Sequence, residues 1–123
     1  MIKKLKEFWR KIYYRPFMDT VLWTLEQDPP LVSASVKERI DYEYFYLSGN
    51  DVCILIMGHA DESEGTREYC LGISQRRAEL HRDLLIARGV AAHRIEVFAY
   101  GKGRPWSLTD ASLNARTEVS ERG

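Results

Sequence analysis

The stretch from Gly58 to Ala78, GHADESEGTREYCLGISQRRA, concentrates the residues of this chain that could do chemistry. It begins where an apolar run ends and finishes in a helical pattern, a position where loops commonly carry function on a rigid scaffold. Asp61 closely follows the apolar run, and Arg77 lies just past Ser74, which reads as a helix cap. Arg76 and Arg77 would then occupy a first helical turn, where a cation costs about 0.3–1 kcal/mol against the partial positive charge. The same placement is favourable if that turn holds an anion, because free N–H groups and a guanidinium act together. Arg77 therefore has two readings. It grips a ligand carboxylate at two points, or it pairs with Asp61, Glu79 or another local acid.

An acid and an arginine facing one cleft suit the zwitterionic end of an amino acid. Asp61 would accept from the ammonium and Arg77 would hold the carboxylate. Neither group needs an altered protonation state, so the pattern is one of binding. No nucleophile–base pair is visible, and His59, His81 and His93 lack metal-ligand spacing. No enzyme, metal or cofactor is expected. Cys53 and Cys70 form no Cys-x-x-Cys pair and read as two unpaired thiols.

These residues need elements to position them. Thr20–Leu25 (TVLWTL) is rich in β-formers and reads as a strand, followed by a loop at Pro29-Pro30. From Ser33 or Ser35 a helix is expected with Val36, Ile40, Tyr44 and Leu47 on one face, stopping at Gly49-Asn50. Val52–Met57 (VCILIM) is a buried strand, and residues 59–72 read as a polar loop. A second helix from Ser74 carries Ala78, Leu80, Leu84 and Leu85 as far as Gly89. Arg94–Tyr100 (RIEVFAY) alternates as a strand, Gly103-Arg104-Pro105 is a turn, and Ala115–Ser120 is a final short strand. Alternation of strands and helices in a chain of 123 residues predicts one α/β sandwich of the α+β kind. Its order is β-α-β-α-β-β, with both helices on one face of a single mixed sheet.

The 18 basic and 18 acidic residues cancel, which argues against a general nucleic-acid binder. No segment reaches the roughly 20 apolar residues of a membrane span. Residues 1–17, MIKKLKEFWRKIYYRPF, have a basic front without the apolar core of a secretory signal, and no lipoprotein-type cysteine lies near the start. There Ile2, Leu5, Phe8, Trp9 and Ile12 recur at helical spacing among lysines and arginines. This segment is either a surface helix drawn to anionic lipid or one packed on the domain that occupies residues 18–123.

GHADESEGTREYCLGISQRRA resembles the central motif of the OmpA-like family, most of all its peptidoglycan-associated lipoprotein branch. Two later stretches extend the likeness: RGVAAHRIEVFAYGKGRPW, and NARTEV from Asn114 to Val119. The resemblance is strong from about residue 51 to 119 and fainter before. It implies non-covalent binding of the diaminopimelate of peptidoglycan stem peptides, anchoring an envelope component to the wall. It further implies a place in the periplasm or on the periplasmic face of the outer membrane.

On this resemblance the ligand-binding positions are Asp61 and Arg77, with Asn114 and Arg116 bracing or lining the cleft. Thr24 stands where the family uses an aspartate near the ligand. The chain also departs from the pattern at Cys70 (asparagine in the family), at Ala115 (arginine), and by one extra residue within Glu62-Ser63-Glu64. His59 is expected to organise the loop, and Trp106 to be a packing residue or an exposed loop aromatic. Those departures motivate a rival reading, a protein-interaction module on the same fold. An open cleft between Asp61 and Arg77 would favour wall binding; Arg77 locked in an internal salt bridge would favour the rival.

Overall fold

The computed structural model describes residues 16–122. The amphipathic helix expected over residues 1–17 lies outside the described residues, apart from Pro16 and Phe17. Four strands and two helices follow: β1 (Met18–Leu22), α1 (Ala34–Ser48), β2 (Cys53–Gly58), α2 (Arg67–Arg88), β3 (Ile95–Ala99) and β4 (Arg116–Arg122). The sheet order is β1-β4-β2-β3, so the last strand enters between the first two. β4 is antiparallel to both β1 and β2, whereas β2 and β3, joined through α2, are parallel. The expected order and mixed sheet are both present.

Alternation along the strands assigns the two faces. Val21, Ile54, Ile56 and Val119 are buried and join Val36, Ile40 and Leu47 of α1 and Ala78 and Leu85 of α2 in one core. The intervening strand residues face away from the helices. Both helices therefore cover the same face, which removes the apolar side of each strand from water.

α1 starts where Ser33 accepts from the Val36 N–H, and α2 ends at Gly89, whose φ of 123° suits glycine. The first strand lies a little earlier than expected, at Met18–Leu22, because its register with β4 ends at the Leu22–Arg116 pair, beyond which only Trp23 N–H continues, to Ala115 O at 2.8 Å. Trp23 is also tied to β4 by its indole N–H, which donates to Thr117 Oγ1 at 2.9 Å.

The second helix corrects a larger expectation. It begins at Arg67, capped by Thr66 accepting from Tyr69 N–H at 3.1 Å, so much of the expected polar loop is helix. Ser74 is an interior residue whose hydroxyl accepts from the Gly101 N–H at 3.0 Å, tying α2 to the turn after β3. Arg77 therefore stands in the middle of a helix, and the free N–H groups of a first turn are not beside it. Among the described residues, no helix is long and apolar enough to cross a membrane.

Candidate functional site

The end of β2 and the start of α2 build the site. After Gly58 the chain is held from both sides, His59 N–H donating to Arg116 O and Ala60 N–H to Gly101 O, each at 2.8 Å. Asp61 then caps a 3-10 turn, Glu62–Glu64, in a reciprocal capping box: its Oδ2 accepts from Ser63 N–H at 2.8 Å, and Glu64 Oε1 accepts from Asp61 N–H at 2.9 Å. The Ser63 hydroxyl donates to Oδ2 at 2.5 Å, and Asn114 Nδ2 donates to Oδ1 at 2.8 Å. Burial opposes a charge on Asp61, but the hydrogen bonds from Asn114 and Ser63 outweigh it and hold the carboxyl below its usual range. A carboxylate has about four acceptor positions. On Asp61, Oδ2 takes two bonds from Ser63 and Oδ1 takes one from Asn114, and the Glu62 N–H adds to the hold on its charge.

Asp61 and Asn114 line one cavity of about 380 Å³ together with Ser63, Lys102, Ser107 and Leu108. Asn114 also shapes its wall, since its Oδ1 accepts from the N–H groups of Trp106 and Ser107 at 2.7 and 2.9 Å and its amide donates to Ser107 O at 2.7 Å. One side chain thereby fixes both the acid and the loop opposite. Trp106 and Leu108, 71% and 92% exposed, stand on that loop. Trp106 is thus an exposed loop aromatic.

Arg77 lies elsewhere. Its side chain is wholly buried and faces Glu64, also wholly buried, with Nη2 at 2.5 Å from Oε2 and Nη1 at 2.9 Å from Oε1. Nη1 further donates to His59 O at 3.1 Å and Nη2 to Thr24 O at 3.5 Å. Of the two readings of Arg77, pairing with a local acid is the one this geometry contains, and the acid is Glu64. Burial opposes the Glu64 charge, but Arg77 and the N–H groups of Asp61 and Glu26 keep its carboxyl below the ordinary range. Glu26, at a left-handed φ of 59°, directs its N–H to Glu64 Oε2 at 3.1 Å.

Thr24 thus meets Arg77 through its backbone carbonyl. Arg116 sits on the sheet face away from the helices and braces its surroundings, donating to Glu118 Oε1 at 2.6 Å and to Arg104 O at 3.1 Å. Of the five positions carried by the resemblance, Asp61 and Asn114 share the cavity; Arg77, Thr24 and Arg116 do not line it.

His59 stacks on Tyr100, ring centroids 5.3 Å apart. Burial, helped by Arg116, lowers its pKa to about 4, so it is neutral near pH 7 and its 3.3 Å approach to Glu118 is not an ion pair. Cys70 is a buried free thiol donating to Asp61 O at 3.5 Å, raised in pKa by burial, while Cys53 is exposed and free. Among the described residues, no cluster of His, Cys, Asp and Glu could hold a metal ion.

Two site residues escaped the sequence reading. Glu64 had a signal, because Asp61-x-x-Glu64 has capping-box spacing and lies where the loop carries its extra residue. Lys102 lay within the RGVAAHRIEVFAYGKGRPW stretch of the resemblance, but its approach to Gly65 is a tertiary contact that the stretch alone does not reveal.

An α+β sandwich with a polar site where β2 meets α2 defines the class, and comparison with known proteins agrees. The peptidoglycan-associated lipoprotein from Burkholderia pseudomallei superposes with a TM-score of 0.76 at 28% identity, covering 84% of this chain and 89% of that one. The C-terminal domain of Helicobacter pylori MotB shares the fold, with a TM-score of 0.74 at 19% identity over 85% and 84% of the two chains. The OmpA family model matches residues 32–118, and the chain belongs to that family. A peptidoglycan-associated lipoprotein from Brucella melitensis is 40% identical over 85 residues, 68% of this chain and 50% of the relative. One from Mesorhizobium japonicum is 49% identical over 57 residues, 46% of this chain and 33% of that protein. The chain thus spans half or less of the length of these two relatives.

Proposed function

We propose that this chain is a non-catalytic peptidoglycan-binding domain of the cell envelope, acting on its periplasmic side. It captures the diaminopimelate end of a stem peptide without covalent chemistry and so links an envelope component to the wall. Membership of the OmpA family and likeness to relatives named peptidoglycan-associated lipoproteins support the class. The observation that carries the reading is Asp61: an ionised carboxylate, set by Asn114, that lines an open cavity. An ammonium donates well to such a group, since hydrogen bonds between charged partners are about twice as strong as neutral ones. Arg77 takes the ligand carboxylate in this reading only if Glu64 releases it.

The test is co-sedimentation of the chain with diaminopimelate-type sacculi, with free diaminopimelate as competitor. Binding that the competitor removes is expected. A folded sample that stays in the supernatant would overturn the proposal.

One observation favours a second reading, a protein-interaction module. Arg77 is closed off by Glu64, while Trp106 and Leu108 are exposed beside the cavity. Exposed apolar side chains rimmed by polar groups suit a protein partner. Sacculus binding decides between the two.

A further inference from the structure

Glu64 is saturated. Its two oxygens accept from Asp61 N–H, Glu26 N–H and both terminal nitrogens of Arg77, at 2.9, 3.1, 2.9 and 2.5 Å. These four bonds fill the acceptor positions of a carboxylate. Arg77 is committed through its terminal nitrogens, which already serve Glu64, His59 O and Thr24 O, and its one donor without a partner, Nε, is buried out of reach of the cavity lining. A ligand carboxylate reaching Arg77 would have to break the set and expel a buried carboxylate that also organises the Asp61 turn. It would gain only an equivalent pairing.

The cavity itself holds another cation. Lys102 lines it with Asp61, and its Nζ donates to Gly65 O at 3.2 Å, on the exposed side of the loop that carries Asp61. An ammonium has three donors and turns freely on its stem. Nζ can therefore keep the Gly65 bond and still meet an anion in the cavity.

We propose that Lys102, which lines the same cavity as Asp61, reads the ligand carboxylate in this chain, while Glu64 holds Arg77 permanently as part of the scaffold. This rests on the peptidoglycan reading and names the second pole of the same site. Asp61 takes the distal ammonium of diaminopimelate, and Lys102 takes the carboxylate on the same carbon. Lysine, which carries the distal amine without that carboxylate, engages only Asp61.

Calorimetric titration with two stem tripeptides, one carrying meso-diaminopimelate and the other lysine at the third position, tests the assignment. The parent chain is expected to prefer the diaminopimelate peptide by tenfold or more. Lys102→Gln should abolish the preference for the diaminopimelate peptide over the lysine peptide, with Lys102→Arg restoring it. Glu64→Gln, which removes the charge that pairs with Arg77 and leaves a single acceptor oxygen, should bring no gain. Equal preference in parent and Lys102→Gln, or a tenfold gain in a folded Glu64→Gln variant, would overturn the role of Lys102 while leaving wall binding intact. A parent that binds neither peptide and does not sediment with sacculi would instead remove the underlying reading, and this assignment with it.

Discussion

The guanidinium of Arg77 and the carboxylate of Glu64 meet at two points with neither side chain exposed to water. Removing one member of a buried ion pair strands the other charge, at a cost of about 3–5 kcal/mol. Arg77→Ala and Glu64→Ala should each destabilise the domain by about that amount in denaturant unfolding, and the double variant by clearly less than the sum. Wall binding lost on Arg77→Ala then reports a damaged scaffold before it reports a lost contact. Because the Glu64 pKa is depressed in the fold, its stabilisation is present above its ordinary value of 4.5 and lost as pH falls. Additive single variants would show that the two groups act separately.

A second buried pair lies deeper. Glu43 of α1 meets His81 of α2 at 2.5 Å, both side chains fully buried, and His81 Nδ1 is 2.7 Å from Thr117 Oγ1. Burial dominates both groups, raising Glu43 to about 10 and lowering His81 to about 3, so each is neutral near pH 7. A raised acid stabilises below its ordinary value of 4.5, and that contribution is lost as pH climbs toward 10. The depressed histidine acts oppositely, its contribution being present above 6.5 and lost as pH falls toward 3. Glu43→Gln, which keeps a donor toward His81 and cannot ionise, should flatten the fall in Tm between pH 6 and 9. A variant whose Tm declines as steeply as the parent's would show that Glu43 is already ionised.

These two pairs also explain what the sequence did and did not reveal. Strand positions and element order were legible because VCILIM and RIEVFAY are bounded by glycine or polar turns. The helices were less so. On α1 the fully buried position is Glu43 where Tyr44 was expected, and on α2 the buried stripe includes Ser74, Arg77 and His81. Polar residues on a core-facing stripe erase the apolar periodicity that marks a helix, which displaced the expected start from Thr66 to Ser74. Within the site, Asp61 and Asn114 were legible through the family motif. The seclusion of Arg77 and the arrival of Lys102 depend on contacts distant in sequence, which no local pattern encodes.

Gly58 offers a test of how tightly the site is built. A Cβ placed there would lie 2.0 Å from Ser74 O and 3.2 Å from the Ala78 Cβ, so β2 and α2 touch backbone to backbone. Backbone atoms cannot swing aside as a side chain tip does. Gly58→Ala should therefore push α2 outward and lower stability by at least the roughly 1–3 kcal/mol typical of overpacking. Thermal melting checks it. A Tm within a degree of the parent would mean that the helix rides more loosely than this contact allows.

Asp61 and Asn114 separate scaffold from recognition. Asp61→Asn keeps an oxygen to cap the 3-10 turn, because asparagine caps about as well as aspartate, yet it removes the charge an ammonium would meet. Sacculus binding should fall tenfold or more in that variant, with a smaller loss of Tm because the new amide sets its NH2 against the Asn114 Nδ2 donor. Asn114→Ala acts differently. It deletes the bond to Asp61 Oδ1 and strips the Trp106 and Ser107 N–H groups of their acceptor, so the loop opposite loses its anchor as well. Since Asn114 is nearly fully buried, unsatisfied groups left there cost about 1–3 kcal/mol each. Asn114→Ala should thus lower Tm by more than Asp61→Asn, whose larger effect falls on binding. Equal binding by parent and Asp61→Asn, measured by the same sedimentation, would remove Asp61 from recognition and leave it as the cap of its turn.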